Sequence, residues 1–157
     1  MNANYIMAFA LGIGVVAGLR ALTAPAVVSW AAYLGWLNLH DSPVAFMASI
    51  WAVAIFSLLA IGEFVGDLLP KTPKRTALMP LAARILMGGL CGACLAISGN
   101  QSLGIGAVLG AIGAVIGAFA GYEIRRRLVT GWNIKDIFVA LPEDLIAIGL
   151  AFFLVGR

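Results

Sequence analysis

Six charged side chains lie inside apolar stretches of this chain of 157 residues, where a charge is energetically expensive. At the centre of a bilayer each costs about 2.5 to 3.5 kcal/mol on insertion scales unless it is paired or hydrated. Such groups typically bind ions, carry protons or hold the charged part of a substrate. The six form the candidate substrate-binding or ion-binding set: Arg20, Glu63, Asp67, Arg84, Glu143 and Asp144.

The composition indicates where these charges are placed. The chain is 62% hydrophobic and 11% charged, and its mean hydropathy of +1.04 lies outside the range of soluble globular domains. We therefore expect an integral membrane protein whose first partner is the lipid bilayer. The net charge of +3 comes mostly from loops on one side of the membrane, so no nucleic-acid partner is predicted.

The apolar runs predict an all-α, polytopic helical membrane protein with five to six apolar segments. Four runs reach the roughly 17 to 25 residues needed to cross the hydrocarbon. They are Pro43–Leu69, Ala77–Ser98, Leu103–Ile124 and Phe138–Gly156. The first region, 5–37, is interrupted by Arg20 and Pro25. Either two short spans meet near Arg20, or one span is followed by a broken or re-entrant half-helix.

The basic residues orient these segments. Segments 71–76 and 125–135 hold most of the lysines and arginines, so both are predicted to be cytoplasmic loops of a multi-pass protein of the cell inner membrane. The chain forms one domain, 1–157, with candidate halves 1–70 and 77–157. If the first region crosses twice, the halves form a 3+3 arrangement of opposite orientation, as in an inverted repeat. Against a repeat, the spacing between arginine and acids differs between the halves.

The spacing of the six charges favours a single polar layer in the cytoplasmic half of the bundle. Glu63 and Asp67 are four residues apart and share a helix face. Pro142 frees a backbone carbonyl beside Glu143, as in ion sites built at helix breaks. Four acids and two arginines leave an imbalance of minus two. The alternative is that the charges pair only to join helices, or extend to the interface.

Small residues recur every four positions in the helix from Gly106 to Gly121, which predicts close helix packing. The packing partner is either another span of the same chain or the second protomer of a homodimer. Cys91 and Cys94 are interpreted as small packing residues, so no cofactor is predicted, and the residues leave open whether a metal binds. His40 is predicted to lie in a loop, before a helix that begins at Pro43.

Several segments resemble the uncharacterised bacterial membrane family known as domain of unknown function 4126. The matching segments are "AGLRALTAP" (17–25), "GEFVGDLLPKTPKR" (62–75), "AARILMGGLCGA" (82–93), "GAFAGYEIRRRL" (117–128) and "ALPEDLIAIG" (140–149). They contain all six candidate residues. The resemblance implies a small multi-pass membrane protein and brings no established activity.

The sequence favours a transporter or channel-like protein that couples a proton or cation to the movement of a small or amphiphilic solute. Protonation of Glu143 or Asp144 would break an arginine pair and shift the balance between two helix packings. Two alternatives remain open. One is a structural or accessory membrane subunit, and the other is a membrane-embedded enzyme acting on a lipid or isoprenoid phosphate. No catalytic residue is assigned, because the charged cluster contains no histidine and no known metal motif.

Overall fold

The structure, a computed structural model, describes residues 3–67, 78–132 and 136–156, and the side chains of residues 67, 129 and 131–141 are not described. These ranges contain six α-helices and no β-strand, which confirms the all-α prediction. The helices are α1 (Ala3–Leu19), α2 (Thr23–Tyr33), α3 (Ile50–Asp67), α4 (Leu78–Ser98), α5 (Leu103–Trp132) and α6 (Asp136–Val155). A short 3-10 helix, Ala45–Ala48, precedes α3.

The first region is a helical hairpin. α1 ends at Leu19 and α2 begins at Thr23. The segment after α2 returns to the beginning of α1, because Leu37 and Ile6 line the same cavity, together with Ser98 at the end of α4. The bundle therefore has a hairpin end, where α1 joins α2, and a loop end, where residues 34–49 and 99–102 lie.

The six helices alternate in direction between these two ends. The last residues of α6 lie near the start of α1, and the first residues of α4 lie near the hairpin, where Arg84 contacts Gly18. The two sets of three helices consequently begin at opposite ends of the bundle. The two sets differ in packing. The first two helices of the second set, α4 and α5, contact each other extensively, whereas the first two helices of the first set, α1 and α2, contact each other little.

Glycines allow α1, α4 and α5 to pack as a tight three-helix core. A methyl group added at Gly106 or Gly110 would overlap a backbone carbonyl of α4. One added at Gly113 or Gly117 would overlap a backbone carbonyl of α1. Such approach is possible only because glycine lacks a Cβ atom, so that backbones make the van der Waals contact themselves. α5 therefore packs against two helices of its own chain.

Three boundaries differ from the sequence prediction. α3 begins at Ile50, not at Pro43, because the Ser49 hydroxyl accepts a hydrogen bond from the Ala52 N–H and caps this helix. Residues 125–132, expected in a loop, continue α5 as helix to Trp132, while residues 71–77 and 133–135 lie outside the described ranges. α6 runs through Pro142 without interruption, so the helix break expected beside Glu143 is wrong, whereas the break expected in the first region lies between α1 and α2.

Two of the helices, Leu78–Ser98 and the 103–128 part of α5, are long and apolar enough to cross a membrane. Two further apolar helices, Ala3–Leu19 and Ile50–Gly66, are shorter. Large apolar side chains are exposed along much of the bundle, with Trp51 at 75% exposure. An apolar exterior of this extent marks a surface that contacts lipid or protein.

Replacement of Gly110 by Ala should destabilise the fold by about 2 kcal/mol or more, because the added methyl group overlaps the Gly88 carbonyl oxygen in a core that cannot expand without losing contacts. The matched control is Gly149→Ala in α6, where an added methyl group meets nothing within 4 Å. In thermal unfolding in detergent, the Gly110→Ala variant should have a clearly lower midpoint temperature than the Gly149→Ala variant. Equal midpoints would contradict the close packing of α4 and α5.

Candidate functional site

The turn between α1 and α2 is the point at which the candidate charges meet. Pro25 in the first turn of α2 has no N–H group and so fits only near the beginning of a helix, which prevents α1 from continuing through residues 20–25. We call residues 18–22 the hairpin turn. Arg20 and Ala21 in this turn are buried, so the free backbone groups at the two helix ends need partners inside the protein.

Arg84 of α4 binds the end of α1. Its Nη1 donates a hydrogen bond of 2.7 Å to the carbonyl oxygen of Gly18, and the side chain is buried. The last carbonyls of a helix have no partner within the helix and carry the negative end of its dipole. A guanidinium is therefore suited to this position by both charge and hydrogen bonding.

Glu63 of α3 binds the beginning of α2 in the complementary way. Its two carboxylate oxygens accept hydrogen bonds from the backbone N–H groups of Ala21 and Leu22, each at 2.9 Å. The N-cap residue Leu22 supplies no side-chain cap of its own. Glu63 thus performs from another helix the task of a capping residue, with its negative charge at the positive end of the α2 dipole.

Arg20 and Asp144 form a buried ion pair between the hairpin turn and α6. Arg20 Nε lies 2.5 Å from Asp144 Oδ1, and the two residues are 3% and 7% exposed. The guanidinium carbon lies 5.6 Å from the centre of the Phe64 ring, within the range of a cation–π interaction. Phe64 follows Glu63 directly, so α3 contacts the turn through two successive side chains.

Glu143 faces a different arginine from Asp144. Glu143 Oε2 lies 4.0 Å from Arg125 Nη1 of α5, at the limit of an ion pair. Arg125 was expected in a cytoplasmic loop and is not one of the six predicted site residues. The sequence contained a signal for this further arginine. The four acids of the predicted set exceed its two arginines by two charges, so at least one more cation was needed. With Arg125 included, three arginines accompany three acids among the described side chains of the site.

Of the six predicted site residues, the structure brings four to the hairpin turn. These are Arg20, Glu63, Arg84 and Asp144. Glu143 is adjacent in the chain to Asp144 and faces Arg125 of α5. Asp67 is the last residue of α3, and its side chain lies outside the described part of the chain.

A cavity of about 380 Å³ lies next to the Arg20–Asp144 pair, between α2, α3 and α6. We call it the groove. Both members of the ion pair line it, whereas Glu63, Arg84 and Glu143 do not. Ten residues complete its wall: Thr23, Ala26, Val27, Trp30, Ser57, Ala60, Ile61, Phe64, Ile148 and Phe152. Away from the ion pair, Trp30 Nε1 donates a hydrogen bond of 3.1 Å to Ser57 Oγ and connects α2 with α3.

The two cysteines lie outside this site, in the core of the bundle. Cys91 and Cys94 are both buried on α4 and are not joined by a disulfide. Within the ranges that the structure covers, no group of three or more His, Cys, Asp or Glu side chains is placed to hold a metal ion.

Comparison with known proteins identifies one family. The sequence model of the family described as Domain of unknown function (DUF4126) matches residues 7–156. The match includes the hairpin turn and every charged residue of the site. No curated protein and no solved structure matches the chain.

A double-mutant cycle should show that Arg20 and Asp144 are energetically coupled. Arg20→Gln or Asp144→Asn alone should destabilise the protein by roughly 3 to 5 kcal/mol, since each removes one member of a buried ion pair. The double variant should be less destabilised than the sum, with a coupling energy on the order of 2 kcal/mol.

The control for this cycle is the exposed Arg127–Glu123 pair on α5, where Arg127 Nε lies 2.8 Å from Glu123 Oε1. The same analysis should give a much smaller coupling there, because water screens exposed charges. Both cycles are read from chemical unfolding in detergent. Additive effects at Arg20 and Asp144 would show that the pair does not stabilise the turn.

Proposed function

The chain belongs to the family of domain of unknown function 4126, and we propose that it is a small integral membrane transporter that couples a proton to the movement of a solute through the groove. The ion pair of Arg20 and Asp144 in the groove wall carries this proposal. Buried ionisable residues that face a cavity in a membrane protein are by default part of an ion or substrate pathway.

The exterior of the bundle supports a multi-pass arrangement in the membrane. Large apolar side chains are exposed on α3 and α5, where a soluble protein would place polar residues. Examples are Trp51, Ile55, Leu58, Ile61, Ile105, Val108, Ile112 and Ile116. In this arrangement the hairpin end faces the cytoplasm of the inner membrane, because α3, which precedes segment 71–76, and α5, whose last residues belong to segment 125–135, both end there. The inverted repeat and the homodimer stay predictions.

The mechanism centres on Asp144. When Asp144 takes a proton it loses the charge that holds Arg20, and α6 is then free to move relative to the hairpin turn. Charged groups on every neighbouring element contribute to the field at this carboxylate. Those described are Arg20 in the turn, Glu63 on α3, Arg84 on α4, Arg125 on α5 and Glu143 on α6.

α3, which forms another wall of the groove, is also placed to move during transport. Its main contacts are with α2 and the short 3-10 helix, whereas α1, α4 and α5 form the tight core. Glu63 attaches it to the hairpin turn and Ser57 attaches it to Trp30. A helix attached at a few points can open and close the groove while the glycine-packed core remains fixed.

A structural or accessory role is the second candidate, and one observation favours it. Glu63 and Arg84 bind backbone groups of the hairpin turn, so these two charges have a structural task that requires no solute. In such a protein, Arg20 and Asp144 would only join α6 to the turn. The enzyme alternative stays a prediction.

Topology mapping should place both chain termini outside and both basic segments in the cytoplasm. A reporter that is active only in the cytoplasm should be silent when fused to the C-terminus and active when inserted at residues 71–76. The expected pattern follows from the six alternating helices. A cytoplasmic C-terminus would contradict the arrangement.

Asp144→Asn should abolish proton-coupled flux in proteoliposomes, because the amide cannot take up and release the proton. The assay uses a pH-sensitive dye, imposed pH gradients and a set of anionic, cationic and neutral solutes. Glu143→Gln is the matched control in the adjacent residue and should retain flux, since Glu143 faces Arg125 outside the groove.

Equal flux in wild type and Asp144→Asn would remove Asp144 from the pathway. Absence of flux in the wild type with every solute would contradict transport and favour the structural role. Both variants must be shown to be folded and inserted by size exclusion and thermal unfolding before either result is interpreted.

A further inference from the structure

The groove has the features of a site for an amphiphile. Resting on the proposed transport function, we propose that the solute is a monoanionic amphiphile with a single hydrocarbon chain. Its head group binds Arg20 and its chain lies along α2, α3 and α6 towards Trp30 and Phe152. The proposal rests on the lining of the groove, its opening, and the unequal ability of Arg20 and Asp144 to lose their charges.

The wall of the groove is charged at one end and largely apolar along the rest. Eight of the twelve lining residues are apolar, and the charged ones are Arg20 and Asp144 alone. Phe152 follows Asp144 by eight positions on α6, so the groove extends about 12 Å beyond the ion pair at 1.5 Å per residue. A single extended hydrocarbon chain matches that length, and a compact polar solute would leave most of the wall uncontacted.

The groove opens towards the apolar exterior. Several residues of its wall are also exposed on the outside of the bundle, among them Trp30, Ile61, Ile148 and Phe152. A ligand can therefore enter sideways from the hydrocarbon without passing a charged rim. Entry of this kind suits a molecule that already partitions into the bilayer.

The ion pair selects an anion because its members differ in how they lose charge. Arginine is protonated at all accessible pH values, whereas a carboxylate can be neutralised by one proton. When Asp144 is protonated, Arg20 is the charged group that still lines the groove, and an anionic head group complements its positive charge. A bound cation would instead place a second positive charge beside Arg20 while Asp144 is neutral.

The experiment measures quenching of Trp30 by ω-bromodecanesulfonate in nanodiscs. The sulfonate stays anionic at all working pH values, and the bromine at the far end of its chain quenches a nearby indole. The full-length protein carries Trp30 as its only tryptophan, with the other three, Trp36, Trp51 and Trp132, replaced by Phe. A second protein retains Trp51 alone, which is exposed on α3 and does not line the groove.

Saturable quenching of Trp30 is expected, with only gradual, non-saturating quenching of Trp51 from partition into the lipid. The neutral ω-bromodecanol and the cationic ω-bromodecyltrimethylammonium should quench both proteins without saturation. Saturable quenching by all three molecules, or preference for the cation, would overturn the assignment of an anion. Identical curves for Trp30 and Trp51 would show that the groove binds no such chain.

Three variants on the Trp30 background test the head-group and chain contacts separately. Arg20→Gln should weaken sulfonate binding on the order of tenfold or more, since a charge-assisted contact is lost. Asp144→Asn should strengthen it by about threefold or more, because the competing carboxylate is gone. A merely structural ion pair predicts no gain. Ile148→Phe, which narrows the groove one turn beyond Asp144 without adding a second indole, should abolish saturation even if Arg20→Gln fails to fold.

The two proposals fail differently. Saturable sulfonate binding without flux in any solute would support the binding site and contradict transport. Flux that Asp144→Asn abolishes, without saturable sulfonate binding, would support transport and overturn the amphiphile as its solute.

Discussion

The backbone at a helical hairpin buried in an apolar bundle must find hydrogen-bond partners, and much of this structure depends on how that need is met. α1 ends with free carbonyls and α2 begins with free N–H groups, at ends of opposite dipole sign. Arg84 meets the first and Glu63 meets the second. Because these residues come from α4 and α3, satisfying the turn also fixes where both helices pack.

The bundle divides into a rigid part and a looser part around this turn. Glycine contacts hold α1, α4 and α5 so closely that a single methyl group at Gly110 would overlap a neighbouring backbone. The described glycines of α3 and α6 make no such contact with a neighbouring helix, and α2, α3 and α6 leave the groove between them. A fixed core beside a less tightly packed set of helices is the arrangement that hinge and shear movements require.

The charges near the turn differ in what they contact, and this separates their roles. Glu63 and Arg84 bind backbone atoms, so removing either exposes an unsatisfied helix end. Arg20 and Asp144 bind each other and line the groove. The first pair supplies hydrogen bonds to the backbone of the turn, and the second pair contains Asp144, the carboxylate that the proposed mechanism protonates.

The sequence by itself determined the helical class, a range of five to six apolar segments and the interruption between Arg20 and Pro25, because these depend on composition and local backbone chemistry. It also marked Arg20, Glu63, Arg84 and Asp144, since charges are rare in apolar runs. Only the tertiary structure decided their partners, because contacts such as Arg20 with Asp144 join residues far apart in the chain. For the same reason the pairing of Glu143 with Arg125 and the placing of the groove at Asp144 could not be predicted, since the spacing along a helix does not specify which neighbouring helix its charged face meets.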